Sequence, residues 1–258
     1  MKQGQFEAII HRGQMQLEFA QKTHNQIQAI VEHQTIGNAY TGMGLYDKAK
    51  SHYEQAYEVV QTIQLPHVEA SILGDLSYSY DVLGEHERAW SLSKKLREIA
   101  HELEDDDLMF HAYLSTAHLQ QRHGQFEQSL ASYAQARDAC PQGYQHTQIE
   151  ITAAMARLHQ QIGNHDTVQQ EIEAVLSYLE TDPEKIYSMN PFRTYLSCYH
   201  VLNANHDPRA ADILNKAYTM LQAWADRIEN PEWRRSFLEN VPENREIVEE
   251  VKRVKFEE

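Results

Sequence analysis

Apolar residues return along this chain at intervals of three and four, in blocks that end in a short polar word, and each block therefore predicts an amphipathic helix. Ile36, Gly37 and Tyr40 mark one such helix and Ala49, Tyr53 and Ala56 the next; Leu76, Tyr80 and Ala89 continue the pattern, followed by Ala117, Tyr133, Ala136 and Pro141, and then by Ala156 and Gly163. The punctuating word is Gly44-Leu45-Tyr46-Asp47-Lys48-Ala49. It returns at Gly84-Glu85-His86-Glu87-Arg88-Ala89 and at Gly124-Gln125-Phe126-Glu127-Gln128-Ser129, forty residues apart both times. Weaker copies stand at Gly163-Asn164-His165-Asp166-Thr167-Val168 and Asn205-His206-Asp207-Pro208-Arg209-Ala210, and a further copy precedes them all at Gly4-Gln5-Phe6-Glu7-Ala8-Ile9. Gly suits the left-handed end of a helix and an acidic residue suits the start of the next. Each word therefore reads as a turn, and its recurrence at a near-constant period defines a helix-turn-helix repeat.

Between repeats the links are short and polar: Gln64-Leu65-Pro66, Glu104-Asp105-Asp106-Asp107, Pro141-Gln142-Gly143 and Thr181-Asp182-Pro183. Pro cannot continue a helix but is well placed at the first turn of a new one, with Asp182 as the cap before Pro183. Because the first word begins at Gly4, the helix that should pack against residues 5–22 is missing, and the pattern reads as a fragment of a larger protein or as a capping half-repeat. Phe6, Ile9, Ile10, Leu17 and Phe19 are then expected to lack cover, which predicts pairing of two chains through this end or an upstream domain lying on it. At the other end Asn230-Pro231 opens a short helix with Trp233, Phe237 and Leu238, and Val241-Pro242 breaks it before a last helix with Ile247, Val251 and Val254 on one face. This reads as a cap. The division expected is 1–23 for a truncated or capping first repeat, 24–180 for the repeats, and 181–258 for a last degenerate repeat with the helical cap.

Small residues at Gly37, Ala49 and Ala56 with aromatic ones at Tyr40 and Tyr53 resemble the tetratricopeptide repeat, and the longer period here is similar to the variant in large bacterial regulators of the maltose-regulon-activator type. The stretch from Arg234 to Ile247 also resembles the segment that closes such arrays in multidomain bacterial signalling ATPases and transcriptional activators. The resemblance implies an all-α fold, a right-handed α-solenoid of stacked antiparallel helix pairs. It implies, too, that nucleotide-binding, cyclase or DNA-binding domains upstream do the chemistry while the helical array senses or docks a partner.

Composition narrows the function classes. The chain has 258 residues and a formal charge of -15, which repels phosphate backbones, so nucleic acid is not an expected partner. No signal peptide and no run of about 18 apolar residues is present, so no membrane partner is expected. Two cysteines, Cys140 and Cys198, without CxxC spacing fit a reducing, cytoplasmic setting. Motifs for phosphate cradles, zinc proteases and nucleophile elbows are absent, and no cofactor is expected. The run Asp105-Asp106-Asp107 reads as a helix cap before it reads as a metal site. His111 and His118, seven apart with His123 nearby, lack a matching carboxylate or Cys at helical spacing, so neither group predicts a bound metal.

The remaining candidate is the concave surface lined by the first helix of each pair. The family pattern places Asn38, Thr41, Tyr78, Asp81, His111, His118, Arg122, Arg157, Gln161, Tyr195 and Tyr199 there. Arg122 and Arg157 stand out against an acidic molecule because a guanidinium fork matches a carboxylate, and Tyr adds contact area at low entropic cost. The function expected is a non-catalytic scaffold for a protein or peptide ligand, the sensor or docking region of a bacterial regulatory protein. Two alternatives stand beside it: an enzyme using His and acidic residues in the same groove, and a stand-alone peptide-pheromone-type receptor.

Overall fold

The computed structural model describes residues 5–181 and 191–257. The word at Gly4 begins, and the Asp182-Pro183 cap lies, outside the described residues. Among those described there are thirteen α-helices and no strand: α1 (Phe6–Lys22), α2 (Gln26–Gly42), α3 (Tyr46–Ile63), α4 (Pro66–Val82), α5 (His86–Leu103), α6 (Asp106–Arg122), α7 (Phe126–Asp138), α8 (Gln145–Gln161), α9 (Val168–Thr181), α10 (Pro191–Ala204), α11 (Arg209–Ala225), α12 (Pro231–Glu239) and α13 (Pro242–Glu257). They group into two compact units, one spanning Gln5–Pro141 and the other running from Gln142 onward. Within each, every helix packs on its neighbour in sequence, and the first helices of successive pairs, α4 with α6 and α8 with α10, also pack on each other.

The turns form as the words predict. Gly44, Gly84, Gly124 and Gly163 adopt φ of 70°, 83°, 70° and 76°, where a Cβ would be strained, and Asp47, Glu87 and Glu127 sit in the first turns of α3, α5 and α7. In the worn copy the left-handed residue is His206 rather than Asn205, so that word is displaced by one position. Three links between pairs use the same conformation without Gly, at His24, Gln64 and Glu104, while the link before α8 uses Gly143 at φ 98°. Pro66 opens α4, and Asp105 caps α6 by accepting from the Leu108 amide at 2.8 Å, with Asp106 and Asp107 in the first turn.

In the Gln5–Pro141 unit the core repeats a small-against-aromatic motif. Tyr53 is 1% exposed and its ring covers Gly37 so closely that a Cβ there would lie 2.5 Å from Tyr53 Cε1. Phe6 lies over Gly42 in the same way. Farther along, Leu73, Leu96, Ala100, Leu108 and Ala112 close a cluster with Ala70 between α4, α5 and α6. At the N-terminal end, Phe6 and Ile10 are buried rather than bare, because α2 covers that side of α1. Ile9 and Leu17 are half-buried, while Phe19 is uncovered as expected at 61% exposure, joined by Met15, Ile27 and Val31 at 61%, 59% and 46%.

In the second unit, α12 and α13 pack on α11, burying Phe237, Val241, Ile247 and Val251. Asn230 caps α12 by accepting from the amides of Glu232 and Trp233. Asn244 donates to the Phe237 carbonyl at 2.8 Å and so pins the α12–α13 corner. α13 also crosses onto α10, which places Glu243, Glu246 and Glu250 over the first-helix side of this unit.

Candidate functional site

The residues singled out in the sequence divide between the two units. In the first, Asn38 and Thr41 on α2 are partly buried and hold the Tyr53 hydroxyl, which donates to Asn38 Oδ1 at 2.6 Å and lies 3.1 Å from the Thr41 hydroxyl. The same bridge recurs two repeats on, where Tyr133 donates to Gln121 Oε1 at 2.8 Å. His118 packs edge-on against Tyr133, and His111 is exposed with its ring against Phe110. These polar groups thus serve the joint between the helices of a pair as well as its surface.

Tyr78, Asp81 and Arg122 come together. Asp81, whose side chain is 3% exposed, sits in the last turn of α4, where its Oδ2 accepts from Arg122 Nε and lies 2.6 Å from Nη2 of the same guanidinium. That guanidinium stacks over the Tyr78 ring at 4.6 Å. The other oxygen, Oδ1, faces two imidazoles, His86 Nδ1 at 3.0 Å and His123 Nε2 at 2.6 Å. Burial works to raise the Asp81 pKa, but Arg122, His123 and His86 together hold it below the ordinary carboxylate value. His86 and His123 meet edge to face at 4.8 Å, and Trp90 lies 5.7 Å from His123. His86 and Trp90 belong to no pattern sought in the sequence. The signal that would have found the cluster is a comparison at the repeat period: His123 stands where other repeats carry Met43, Leu83 and Ile162.

In the second unit the first-helix side of α8 and α10 meets α13. Arg157 on α8 donates to Glu246 at 3.3 Å, and His200 on α10 lies 2.5 Å from the same carboxylate oxygen. Burial opposes the Glu246 charge, but His200 and Arg157 hold its pKa below the usual range. Arg193 donates to Glu243 at 2.9 Å and lies 3.7 Å from Glu150, whose carboxyl is raised by burial. Tyr199 donates to Glu250 at 2.6 Å, and Arg253 closes on that carboxylate at 2.6 Å. Tyr195 is 5% exposed and is a core residue, whereas Gln161 is exposed at the end of α8. Each of the two arginines expected to hold a ligand carboxylate is therefore paired with a carboxylate of this chain, Arg122 with Asp81 and Arg157 with Glu246.

Among the described residues no helix is long and apolar enough to cross a membrane. Cys198 is buried in α10, where burial pushes its thiol up to about 12 and makes it a packing residue rather than a nucleophile.

No protein-family model and no curated protein matches the sequence. Solved structures do. The chain resembles BtubC (BKLC) from P. vanneervenii at 18% identity and a TM-score of 0.64, over 88% of this chain and 95% of that one. It also resembles a Rap protein complexed with Competence and Sporulation Factor at 13% identity and a TM-score of 0.57, over 96% of this chain and 76% of that one. At such identities what is shared is the fold, which here is an all-α helical-repeat array of the tetratricopeptide type.

Proposed function

We propose that this chain is a non-catalytic scaffold that grips an acidic helical peptide, or such a segment of a protein, on the first-helix face formed by α8 and α10. The observation that carries the reading is that this face already holds a row of carboxylates from one helix: Glu243, Glu246 and Glu250 of α13 seat on Arg193, on Arg157 with His200, and on Tyr199. Arg122 drops out of the ligand set because Asp81 occupies it. A neighbouring fold was solved as a Rap protein complexed with Competence and Sporulation Factor, which supports a ligand-holding use of this architecture. The closing segment's resemblance to those of bacterial regulators supports a sensor or docking role in a larger cytoplasmic signalling protein.

The test uses the full chain and a labelled peptide copying residues 242–258. Replacing Glu246 and Glu250 with Ala loosens α13, so more of the chain offers a free face, and the labelled copy should bind more tightly than it does to the wild type. Adding Arg157→Ala to the loosened chain should then weaken binding by about 1.5–3 kcal/mol, the range for a hydrogen bond to a charged group. If the loosened chain fails to take up the peptide, or takes it up regardless of Arg157, the ligand face lies elsewhere.

A further inference from the structure

We propose that Asp81, His86 and His123 form a binding site for a divalent ion of the zinc class, held by one carboxylate oxygen and two imidazole nitrogens. The three ligand atoms lie within 4.8 Å of one another. In a tetrahedral zinc site with bonds of about 2.0–2.1 Å, neighbouring ligand atoms stand about 3.3 Å apart. Asp81 Oδ1 is 3.0 Å from His86 Nδ1 and 2.6 Å from His123 Nε2, so an ion enters when both imidazoles step back from Oδ1 and their ligand nitrogens draw together inside the 4.8 Å that bounds the set.

The repeat supplies its own control. At the position of Asp81 the other repeats carry Thr41, Gln121 and Gln160; at that of His86 they carry Tyr46, Phe126 and His165; at that of His123 they carry Met43, Leu83 and Ile162. His165 faces Gln160, at 3.2 Å, not a carboxylate. Among the repeats compared, only the junction of α4, α5 and α6 brings two imidazoles and a carboxylate together at these places.

The surroundings suit an ion. Arg122 clamps Asp81 Oδ2 at 2.6 Å and is itself stacked on Tyr78, which fixes the carboxylate with Oδ1 toward the imidazoles, as a second layer of hydrogen bonds does around bound metals. Its positive charge also weakens the site relative to one built from four protein ligands. His86 has 55% of its side chain exposed, which leaves the fourth position open to water. Coordination uses the lone pairs of His86 Nδ1 and His123 Nε2, so each ring carries its proton on the other nitrogen and neutral imidazole binds without releasing one.

The test is titration of the chelator-stripped full chain with Zn2+ by calorimetry, and with Co2+ followed by its visible absorption. Because the chain has fifteen histidines, the comparison is with His123→Leu and His86→Phe, which install the residues of Leu83 and Phe126 and so keep the repeat's own packing. The wild type should bind one Zn2+ that either variant binds at least tenfold more weakly, and zinc should raise the melting temperature of the wild type alone. Equal binding by all three chains, or no saturable binding by the wild type, overturns the assignment. Should the variants fail to fold, the cobalt spectrum of the wild type decides: intense tetrahedral bands support the site, and the weak bands of hydrated cobalt overturn it.

Discussion

Gly37 and Gly74 lie on the first helices of neighbouring repeats, α2 and α4, yet they should respond oppositely to a single methyl group. At Gly37 an added Cβ would lie 2.5 Å from Tyr53 Cε1, 2.8 Å from Cδ1 and 2.9 Å from Cζ. The ring cannot retreat easily: it is 1% exposed, and its hydroxyl is tied to Asn38 at 2.6 Å. Overpacking of this kind costs about 1–3 kcal/mol, and shifting the ring adds up to about 1 kcal/mol by straining its hydrogen bond. Against this stands the gain of about 1 kcal/mol from replacing Gly by Ala within a helix. The three terms leave Gly37→Ala destabilised by up to about 3 kcal/mol. At Gly74 the nearest atom to a new Cβ is Leu96 Cδ2 at 3.7 Å, an ordinary contact, so only the helix term remains. Gly74→Ala should stabilise by up to about 1 kcal/mol. Urea denaturation of the three proteins followed by circular dichroism measures the difference. If Gly37→Ala proves as stable as Gly74→Ala, the small-against-aromatic contact is not what sets the spacing of α2 and α3.

The His33–His52 pair should make the protein acid-sensitive above the carboxylate range. Their Nδ1 atoms lie 3.1 Å apart, and burial, then the neighbouring His33, push His52 down to about 4. Unfolded His protonates near about 6.5, so the unfolded chain binds the extra proton between that pH and about 4. The stability contributed by neutral His52 is therefore present above the unfolded value and is lost as pH falls toward the folded one. His52→Gln should flatten that slope in denaturation curves taken across the window, and an unchanged slope would mean that another group carries it. At the N-terminal end, the exposed Met15, Phe19, Ile27 and Val31 should bring two chains together, detectable by sedimentation and reversed by Phe19→Glu. A wild type that sediments as a monomer at every concentration would remove that end as a pairing surface.

The repeating turns were legible because each needs a backbone conformation that Gly alone adopts without strain. The links between pairs were legible only where Pro66 or Asp105 marked them; the left-handed residues there are His24, Gln64 and Glu104, which carry no such mark. Phe237, Ile247 and Val251 could be read as a cap from their spacing, since that depends on nearby residues. Where α13 would lie could not. Arg157 and Glu246 are eighty-nine residues apart, and nothing local to either says that one will neutralise the other. The same holds for Asp81 and His123, whose meeting depends on how α4 stacks on α6. A search for histidines on one helix face therefore paired His111 with His118, which the fold turns to Phe110 and Tyr133 instead.

The placement of α13 also sets a threshold. A segment joined to its own docking face through α11 and α12 is never diluted, and tethering over short spans corresponds to an effective concentration of the order of millimolar. An external acidic helix that binds the same face only as well as α13 does must approach that concentration before it takes half of the sites. If the face takes an acidic helix as proposed, weak, abundant segments would be screened out and a partner would register only by contacts that α13 does not make. The tail that closes the fold thus also fixes how selective the face beneath it can be.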